Sequence, residues 1–252
     1  MEDFPKGNDV HLWCCRPGEV KHAEHHLSVL TPLEQKKYHR YRFDRHRHAY
    51  LVTRLFIRSL LSHYDDSIEP SQWRFHKNRW GKPFIKLSQN PRGLMFNLSH
   101  TDKLIVCAIS QNSQVGVDVE NIQRSSETTK IADRYFSPAE VEALQALPAD
   151  KQRARFFDYW TLKEAFIKAK GKGLAIPLRD FSFKLDTTEY IGIEFAGSLA
   201  QERPDRWHFQ QWQTDEKEFI SLAWQGVAAP QVQHRYSADL EWVFDANLKP
   251  RG

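Results

Sequence analysis

A chain of 252 residues with 40% hydrophobic and 27% charged residues has the composition of a folded globular protein, which excludes a largely disordered chain. It contains no apolar run of membrane-spanning length, and its first ten residues, MEDFPKGNDV, lack the pattern of a signal peptide. Three cysteines without a CxxC spacing argue against a disulfide framework, so we expect a reduced, cytoplasmic protein.

The net charge of +4 is unevenly distributed along the chain. Residues 36–58 hold eight lysines and arginines and one acidic residue, Asp44, and the periodicity places Arg47, Arg54 and Arg58 opposite the apolar face of a predicted helix. Such a segment indicates an anionic partner, such as a phosphate, a nucleic acid or an acidic protein. A solvated helix face without a partner has the same pattern.

The first half of the chain begins with a predicted strand at residues 10–15, where apolar residues alternate. Thr31 and Pro32 predict the start of a short helix. Asp44 is predicted to cap a longer helix that ends near Tyr64. Strand-like runs follow at residues 73–77, 83–87, 94–99 and 104–110.

The second half repeats this order. Residues 156–174 predict an amphipathic helix, because Phe156, Phe157, Trp160 and Ile167 recur at helical spacing before a glycine-rich end. Strand-like runs follow at residues 181–185, 190–195, 206–212 and 218–224.

A long helix followed by four strand-like runs thus occurs twice. We therefore expect an α+β fold with two pseudo-symmetric lobes, each a long helix packed on a small, mostly antiparallel sheet. The expected divisions are an N-terminal lobe at 1–115, a C-terminal lobe at 116–230 and a polar tail at 231–252. We also expect a monomer.

Three carboxylates suggest the chemistry. Glu164 interrupts the apolar stripe of the second long helix, and a carboxylate turned toward a core needs a cation, either Lys168 at i+4 or a metal ion. An ordinary surface pair of Glu164 and Lys168 is the simpler alternative. Asp118 and Glu120 in GVDVE share one face of a predicted strand. Oxygen ligands favour magnesium or manganese, and such ions commonly meet a phosphate.

At this point the sequence resembles a known family. WGKP (80–83), FNLSH (96–100), GVDVE (116–120) and WTLKEAFIKAKGKGL (160–174) are similar to the four signature blocks of the 4'-phosphopantetheinyl transferases of the larger, surfactin-synthetase-activating type. The resemblance covers residues 31–225. It implies two pseudo-symmetric lobes with coenzyme A bound between them, and transfer of phosphopantetheine to a serine of an acyl or peptidyl carrier protein, leaving 3',5'-ADP.

The resemblance also implies roles for individual residues. Asp118, Glu120 and Glu164 would hold magnesium (or manganese) on the coenzyme A pyrophosphate. Glu164 would also take the proton of the carrier serine, Lys168 would neutralise the pyrophosphate, and Lys163 would assist catalysis.

Contacts to coenzyme A would come from both halves of the chain. They are expected from Arg45, Gly81, Lys82, Pro83, Ser99, His100, Asp118 and Lys168. Some family members place a lysine where this chain has Glu34. The loop from Arg124 to Phe136 would be the edge on which the carrier protein docks.

Two other classes fit parts of the pattern. A metal-dependent nuclease also uses clustered acids with a lysine, although its Glu-x-Lys pattern usually lies on a strand. A nucleic-acid-binding module could use residues 36–58 but would leave the carboxylates unexplained. The transferase interpretation predicts no nucleic-acid and no membrane partner.

Overall fold

The computed structural model describes residues 4–123, 128–185, 190–238, 240–244 and 249–250. The α-helices in this part of the chain are α1 (Pro32–His39), α2 (Asp44–Tyr64), α3 (Thr128–Tyr135), α4 (Pro138–Gln145) and α5 (Ala149–Lys170). The strands of the first half are β1 (Asp9–Cys15), β2 (Phe75–Lys77), β3 (Pro83–Ile85), β4 (Leu94–His100) and β5 (Ile105–Gln111).

Further strands come from the second half and the C-terminal segment. They are β6 (Val115–Asn121), β7 (Phe181–Lys184), β8 (Gly192–Phe195), β9 (Trp207–Gln213), β10 (Glu218–Gln225), β11 (Gln231–Ala238), β12 (Glu241–Phe244) and β13 (Lys249–Pro250). None of the helices described here is both long and apolar enough to cross a membrane.

The two halves have the same topology. One sheet has the strand order β12-β11-β1-β5-β4 and the other has the order β13-β9-β10-β6. In each half the first strand pairs antiparallel with the last, and the last pairs with the strand before it. The predicted α+β class is therefore confirmed, with long helices and small, mainly antiparallel sheets.

The sequence suggested that the four runs after each long helix form one sheet, but they do not. Among the described strands, the first two of each set pair only with each other, as β2 with β3 and β7 with β8. In each half, the strand that comes before the long helix, β1 or β6, pairs with the last strand, β5 or β10. The pair β2–β3 or β7–β8 is therefore left outside the sheet.

The molecule is layered as helix, sheet, sheet and helix. In β1, Trp13 and Cys15 belong to the core shared with α2, whereas Val10, Leu12 and Cys14 belong to a core shared with residues of β6 and β10. Successive side chains of a strand point to opposite faces, and residues 10–15 of β1 are buried on both faces. The two sheets therefore pack face to face, each with its long helix on the outer face.

Helix α2 begins at Asp44 and ends at Tyr64, but Asp44 is not its cap. Phe43 occupies the N-cap position without a side-chain hydrogen bond, and the exposed Asp44 carboxylate pairs with Arg47 instead. At α1 the expected Thr31 cap is present, as a reciprocal capping box with Glu34.

Two arginines of the expected basic face are turned inward. Arg58 is 1% exposed and donates to the carbonyl of Trp73 and, at 2.7 Å, to Glu34. Arg54 pairs with the other oxygen of Glu34. Glu34 thus neutralises part of the basic segment from within the fold.

Helix α5 is buried around most of its circumference, so the prediction of an amphipathic helix was too simple. Leu162, Ala165, Phe166 and Ile167 all lie in one core. This helix contacts β6 and β10 on one side and α3 and α4 on another.

The predicted tail is part of both sheets. Strand β11 pairs parallel with β1 and antiparallel with β12, while β13 pairs with β9. The segment after residue 230 therefore crosses back to the first lobe and completes its sheet. The turn between β5 and β6, at residues 112–114, separates the two repeated halves.

Candidate active site between the two lobes

The site rests on a close contact between strand β6 and helix α5. Gly116, Asp118 and Glu120 share the face of β6 that meets the helix. A Cβ atom on Gly116 would lie 2.1 Å from the carbonyl oxygen of Ala165 and 2.4 Å from the nitrogen of Ala169. Only glycine allows the helix to come so near. Glu164 and Lys168 precede Ala165 and Ala169 in the helix. The close contact therefore brings them beside Asp118 and Glu120 of the strand.

A three-residue cluster joins the lobes at this point. The ammonium of Lys168 lies 2.6 Å from Oδ1 of Asp118 and 2.9 Å from the Ser99 hydroxyl. The Ser99 hydroxyl also donates to Oδ1 of Asp118, at 2.8 Å. The side chain of Asp118 is 6% exposed, and its Oδ2 is buried without a hydrogen-bond partner among the described residues. Strand β4, strand β6 and helix α5 thus each contribute one group.

Glu164 lies at the edge of this cluster. The pKa of its carboxyl is raised to about 7, chiefly by burial and also by the negative charges of Asp118 and Glu120, against the opposing effect of Lys168. In the described part of the chain, Lys168 forms its ion pair with Asp118 and not with Glu164. The simpler alternative of an isolated Glu164–Lys168 surface pair does not describe this arrangement.

The carboxylates suit a hard divalent cation in chemistry but are not gathered around one point. No group of three or more His, Cys, Asp or Glu in the described residues is arranged to hold a metal ion. The ammonium of Lys168 provides the positive charge at Asp118. Within the described residues, Oδ2 of Asp118 nevertheless remains a buried oxygen without a donor, and the carboxyl of Glu164 has a raised pKa. A bound cation would relieve both conditions.

His100 continues the site toward the basic segment. Neighbouring groups desolvate its ring, and the charges of Lys168 and Lys37 act in the same direction, so that the pKa of His100 is lowered. Together with Glu120, His100 lines a cavity of about 510 Å³ at the end of β6. Lys37, one of the basic residues of segment 36–58, is thus an additional cation near the site.

Arg45 is exposed, and its Nε donates to Nε2 of His46 at 3.3 Å. The same ring nitrogen lies 3.7 Å from a carboxylate oxygen of Asp102 in the turn that follows His100. Arg45 is therefore connected to the site indirectly, through this turn.

The turn at Gly81–Lys82–Pro83 contacts the C-terminal end of α5. Gly81 has a φ of +94°, a left-handed conformation that favours glycine. The side chain of Asn78 accepts from the backbone N–H of Lys82 and donates to the carbonyl of Gly171 at 2.6 Å. The Lys82 ammonium donates to the carbonyls of Val115 and Ala169, at 3.2 and 3.0 Å. Lys82 is thus bound to the other lobe.

Lys163 does not belong to the site. It is fully buried on another side of α5, where its ammonium lies 2.8 Å from Glu140 and donates to the carbonyls of Leu178 and Phe181 at 2.7 Å. The expected assisting role does not fit this position, because three short contacts occupy the ammonium. The nuclease alternative, which needs this lysine beside Glu164, loses its basis for the same reason.

Sequence reasoning missed Asn97. Its side chain is 5% exposed, and its Oδ1 accepts a 2.8 Å hydrogen bond from the backbone N–H of Val117 in the other lobe. An amide among the apolar residues Phe96 and Leu98 of the strand was the available signal, because such a group needs a partner when it is buried.

Comparison with known proteins agrees with this geometry. A family model described as "4'-phosphopantetheinyl transferase superfamily" matches residues 114–224, and one described as "4'-phosphopantetheinyl transferase, N-terminal" matches residues 14–112.

Individual relatives extend over most of the chain. The 4'-phosphopantetheinyl transferase HetI of Nostoc sp. is 34% identical over 79% of this chain and 84% of its own length. The 4'-phosphopantetheinyl transferase Sfp of Bacillus subtilis is 32% identical over 74% and 80%. The enzyme gsp of Aneurinibacillus migulanus is 36% identical over 69% and 71%.

Two lobes of one topology and relatives of this similarity define a phosphopantetheine-transferring enzyme. The chain belongs to the 4'-phosphopantetheinyl transferase superfamily, and within it to the two-lobed type that Sfp and HetI represent.

Proposed function

We propose that the protein transfers the 4'-phosphopantetheine group of coenzyme A to a serine side chain of an acyl or peptidyl carrier protein and releases 3',5'-ADP. The observation that carries the proposal is the Lys168 ammonium, held between Ser99 and Asp118 and adjacent to a glutamate of raised pKa. A cation, a hydroxyl and a proton acceptor at one lobe junction are what attack on a pyrophosphate requires.

In the proposed reaction, the serine oxygen bonds to the phosphorus that carries pantetheine. The bond from that phosphorus to the bridging oxygen breaks, and the bridging oxygen leaves with 3',5'-ADP. Glu164 accepts the serine proton, for which a pKa of about 7 is well suited near neutral pH. Lys168 balances the negative charge on the leaving group.

The acids define where a magnesium ion would be held. Asp118, Glu120 and Glu164 would be its protein ligands, and Oδ2 of Asp118 is an oxygen for which the described part of the chain supplies no donor. The ion would supply charge neutralisation on the pyrophosphate. Manganese has the same preference for oxygen ligands.

The remaining coenzyme A contacts would come from the first lobe. Ser99 and His100 on β4, the turn at 81–83 and Arg45 are the expected groups. The anionic ligand and an acidic carrier both suit a chain whose net charge is +4. The carrier would dock near the loop predicted at Arg124–Phe136, of which residues 124–127 lie outside the described part. A cytoplasmic location stays a prediction.

The test is transfer to apo-carrier proteins. The enzyme is incubated with coenzyme A, magnesium chloride and a panel of fatty-acid, polyketide and nonribosomal peptide carriers, and intact masses are read. We expect at least one carrier to gain the mass of phosphopantetheine, and its serine-to-alanine variant to gain none. Absence of transfer to every carrier, together with absence of calorimetric binding of coenzyme A, would contradict the proposal. A salt-dependent gel shift with DNA and RNA tests the nucleic-acid alternative.

A further inference from the structure

At the site, the edge strands of the two packed sheets, β4 and β6, contact each other. Strand β4 is the last strand of one sheet and β6 the last strand of the other. In an antiparallel sheet, the backbone N–H and C=O of alternate residues point to the same side. The backbone N–H of Gln225 donates to the C=O of Gln114. The backbone groups of the even-numbered residues of β6 therefore point toward β10, whereas those of Val115 and Val117 point toward the open edge.

Two side chains of the first lobe cover this open edge. Oδ1 of Asn97 accepts from the N–H of Val117 at 2.8 Å, and the Lys82 ammonium donates to the C=O of Val115 at 3.2 Å. Lys82 also donates to the C=O of Ala169, near the end of helix α5. Side chains therefore provide the bonds that a neighbouring strand would otherwise make.

We propose that Asn97 and Lys82 are positioning residues, which fix β6 and α5 of the second lobe against β4 of the first. The inference rests on the proposed transferase function. Asn97 and Ser99 lie two residues apart on one face of β4, and they bond to consecutive residues of β6, Val117 and Asp118. The bond made by Asn97 thus sets the register in which Ser99 meets Asp118.

Small displacements matter at this junction. Asp118 and Lys168 belong to the second lobe and Ser99 to the first, and the contacts that join them across the lobes are 2.8 and 2.9 Å long. A relative shift of the lobes by about 1 Å would break the contacts to Ser99, and a displacement of this size can lower a catalytic rate by as much as about a hundred-fold.

This role for Lys82 differs from the phosphate contact that the sequence motif suggested. Its ammonium makes two hydrogen bonds to backbone carbonyls of the second lobe. Burial lowers the pKa of this lysine to about 8, in keeping with a largely enclosed amine. A phosphate ligand would act only when coenzyme A is bound, whereas a tether acts in the free protein.

The experiment therefore begins with the ligand-free enzyme. Hydrogen exchange of the segment 115–121 is measured for wild type, Asn97→Leu, Lys82→Met and, as a matched control, Lys86→Met, which removes an exposed lysine of the same lobe. We expect the first two variants to exchange about ten-fold faster there, because a buried hydrogen bond is lost, and Lys86→Met to behave as wild type. Asn97→Ser replaces Asn97→Leu should the latter fail to fold by circular dichroism.

Turnover and calorimetric binding of coenzyme A complete the test. We expect transfer to fall by about ten-fold or more in both tether variants, and Lys82→Arg, which retains donors for the two carbonyls, to restore exchange and turnover. If hydrogen exchange of segment 115–121 is unchanged in both Asn97→Leu and Lys82→Met, the proposal is overturned. Faster exchange of this segment together with normal turnover would also overturn it. Weaker coenzyme A binding in Lys82→Met with wild-type exchange would instead make Lys82 a ligand contact. If wild type neither binds coenzyme A nor transfers it, the proposed function fails, while exchange still decides whether the tether exists.

Discussion

The ammonium of Lys168 lies 2.6 Å from Oδ1 of Asp118, and Oδ2 of the same buried carboxylate has no hydrogen-bond partner among the described residues. One oxygen is thus paired with a cation while the other is left for a second donor. Because an unpaired buried carboxylate oxygen is unfavourable, the pair is suited to receive a ligand that brings positive charge.

Lys168→Ala should reduce transfer by roughly a hundred-fold, because the leaving pyrophosphate oxygen would lose a preorganised cation. Steady-state transfer to a carrier protein measures the effect. Lys172→Ala, which removes an exposed lysine one turn further along, is the control and should keep turnover within about two-fold of wild type. Equal losses in both variants would show that general positive charge, and not the contact with Asp118, is what matters.

Glu164→Gln should separate catalysis from stability. An amide cannot accept the serine proton, so turnover should fall by about a hundred-fold or more, with a smaller change in calorimetric affinity for coenzyme A. A mainly structural Glu164 would instead leave turnover within a few-fold of wild type.

The same variant should be more stable than wild type in chelating buffer at pH 8. The folded-state pKa of Glu164, about 7, lies above its ordinary value, so ionisation of this group disfavours folding as pH rises through the window from about 4.5 to 7. Thermal melting at pH 4 and pH 8 measures this. The stabilisation should be present at pH 8 and absent at pH 4, and equal melting of the two proteins at pH 8 would contradict the assignment.

The Glu34 network gives the opposite dependence on pH. Despite the opposing effect of burial, Arg54, the Thr31 N–H and Arg58 lower the pKa of Glu34 to about 2. A lowered carboxyl pKa stabilises the fold above about pH 4.5, and the contribution is lost as pH falls toward 2. Glu34→Gln should therefore lower the melting temperature at pH 7 and have little effect near pH 2. Asp66→Asn, at an exposed carboxylate of the same lobe, should change neither value.

The local patterns in the sequence predicted what local physics determines. Alternation in GVDVE placed Asp118 and Glu120 on one strand face, and Thr31 begins α1 as its capping pattern requires. The α+β class followed from the order of elements. The pairing of β11 with β1 joins residues more than 200 positions apart, and nothing in the polar sequence of β11 indicates that partner.

The sequence also did not predict which side chains pair across the fold. The helical period separates Arg58 from the apolar face but does not show that Glu34 covers it. Likewise, Lys163 and Glu164 are neighbours in the motif, yet the helix turns Lys163 toward Glu140 because α5 is enclosed on several sides. Charged residues on a helix can be assigned to solvent, core or site only when the surrounding elements are known.

Recognition of the 3'-phosphate of coenzyme A should depend on Lys37 and His100. Desolvation is the largest cause of the lowered pKa of His100, and the charges of Lys168 and Lys37 lower it further. These three basic side chains therefore lie in one region. Dephospho-coenzyme A lacks this phosphate and would leave its cationic partners unpaired. Each lost charge-assisted hydrogen bond should weaken binding by roughly 1.5–3 kcal/mol, or about ten-fold or more.

The measurement is calorimetric binding of both ligands, at one salt concentration, to wild type, Lys37→Ala, His100→Ala and Arg45→Ala. Wild type should prefer coenzyme A, and the preference should shrink in Lys37→Ala and His100→Ala because the phosphate has lost a partner. Arg45 is exposed and reaches the site only through His46, so its variant should change the ratio less. Arg42→Ala, at an exposed arginine of the same segment, controls for net charge. A preference that persists unchanged in every variant would place the phosphate elsewhere, and equal binding of both ligands by wild type would contradict a 3'-phosphate pocket at this position.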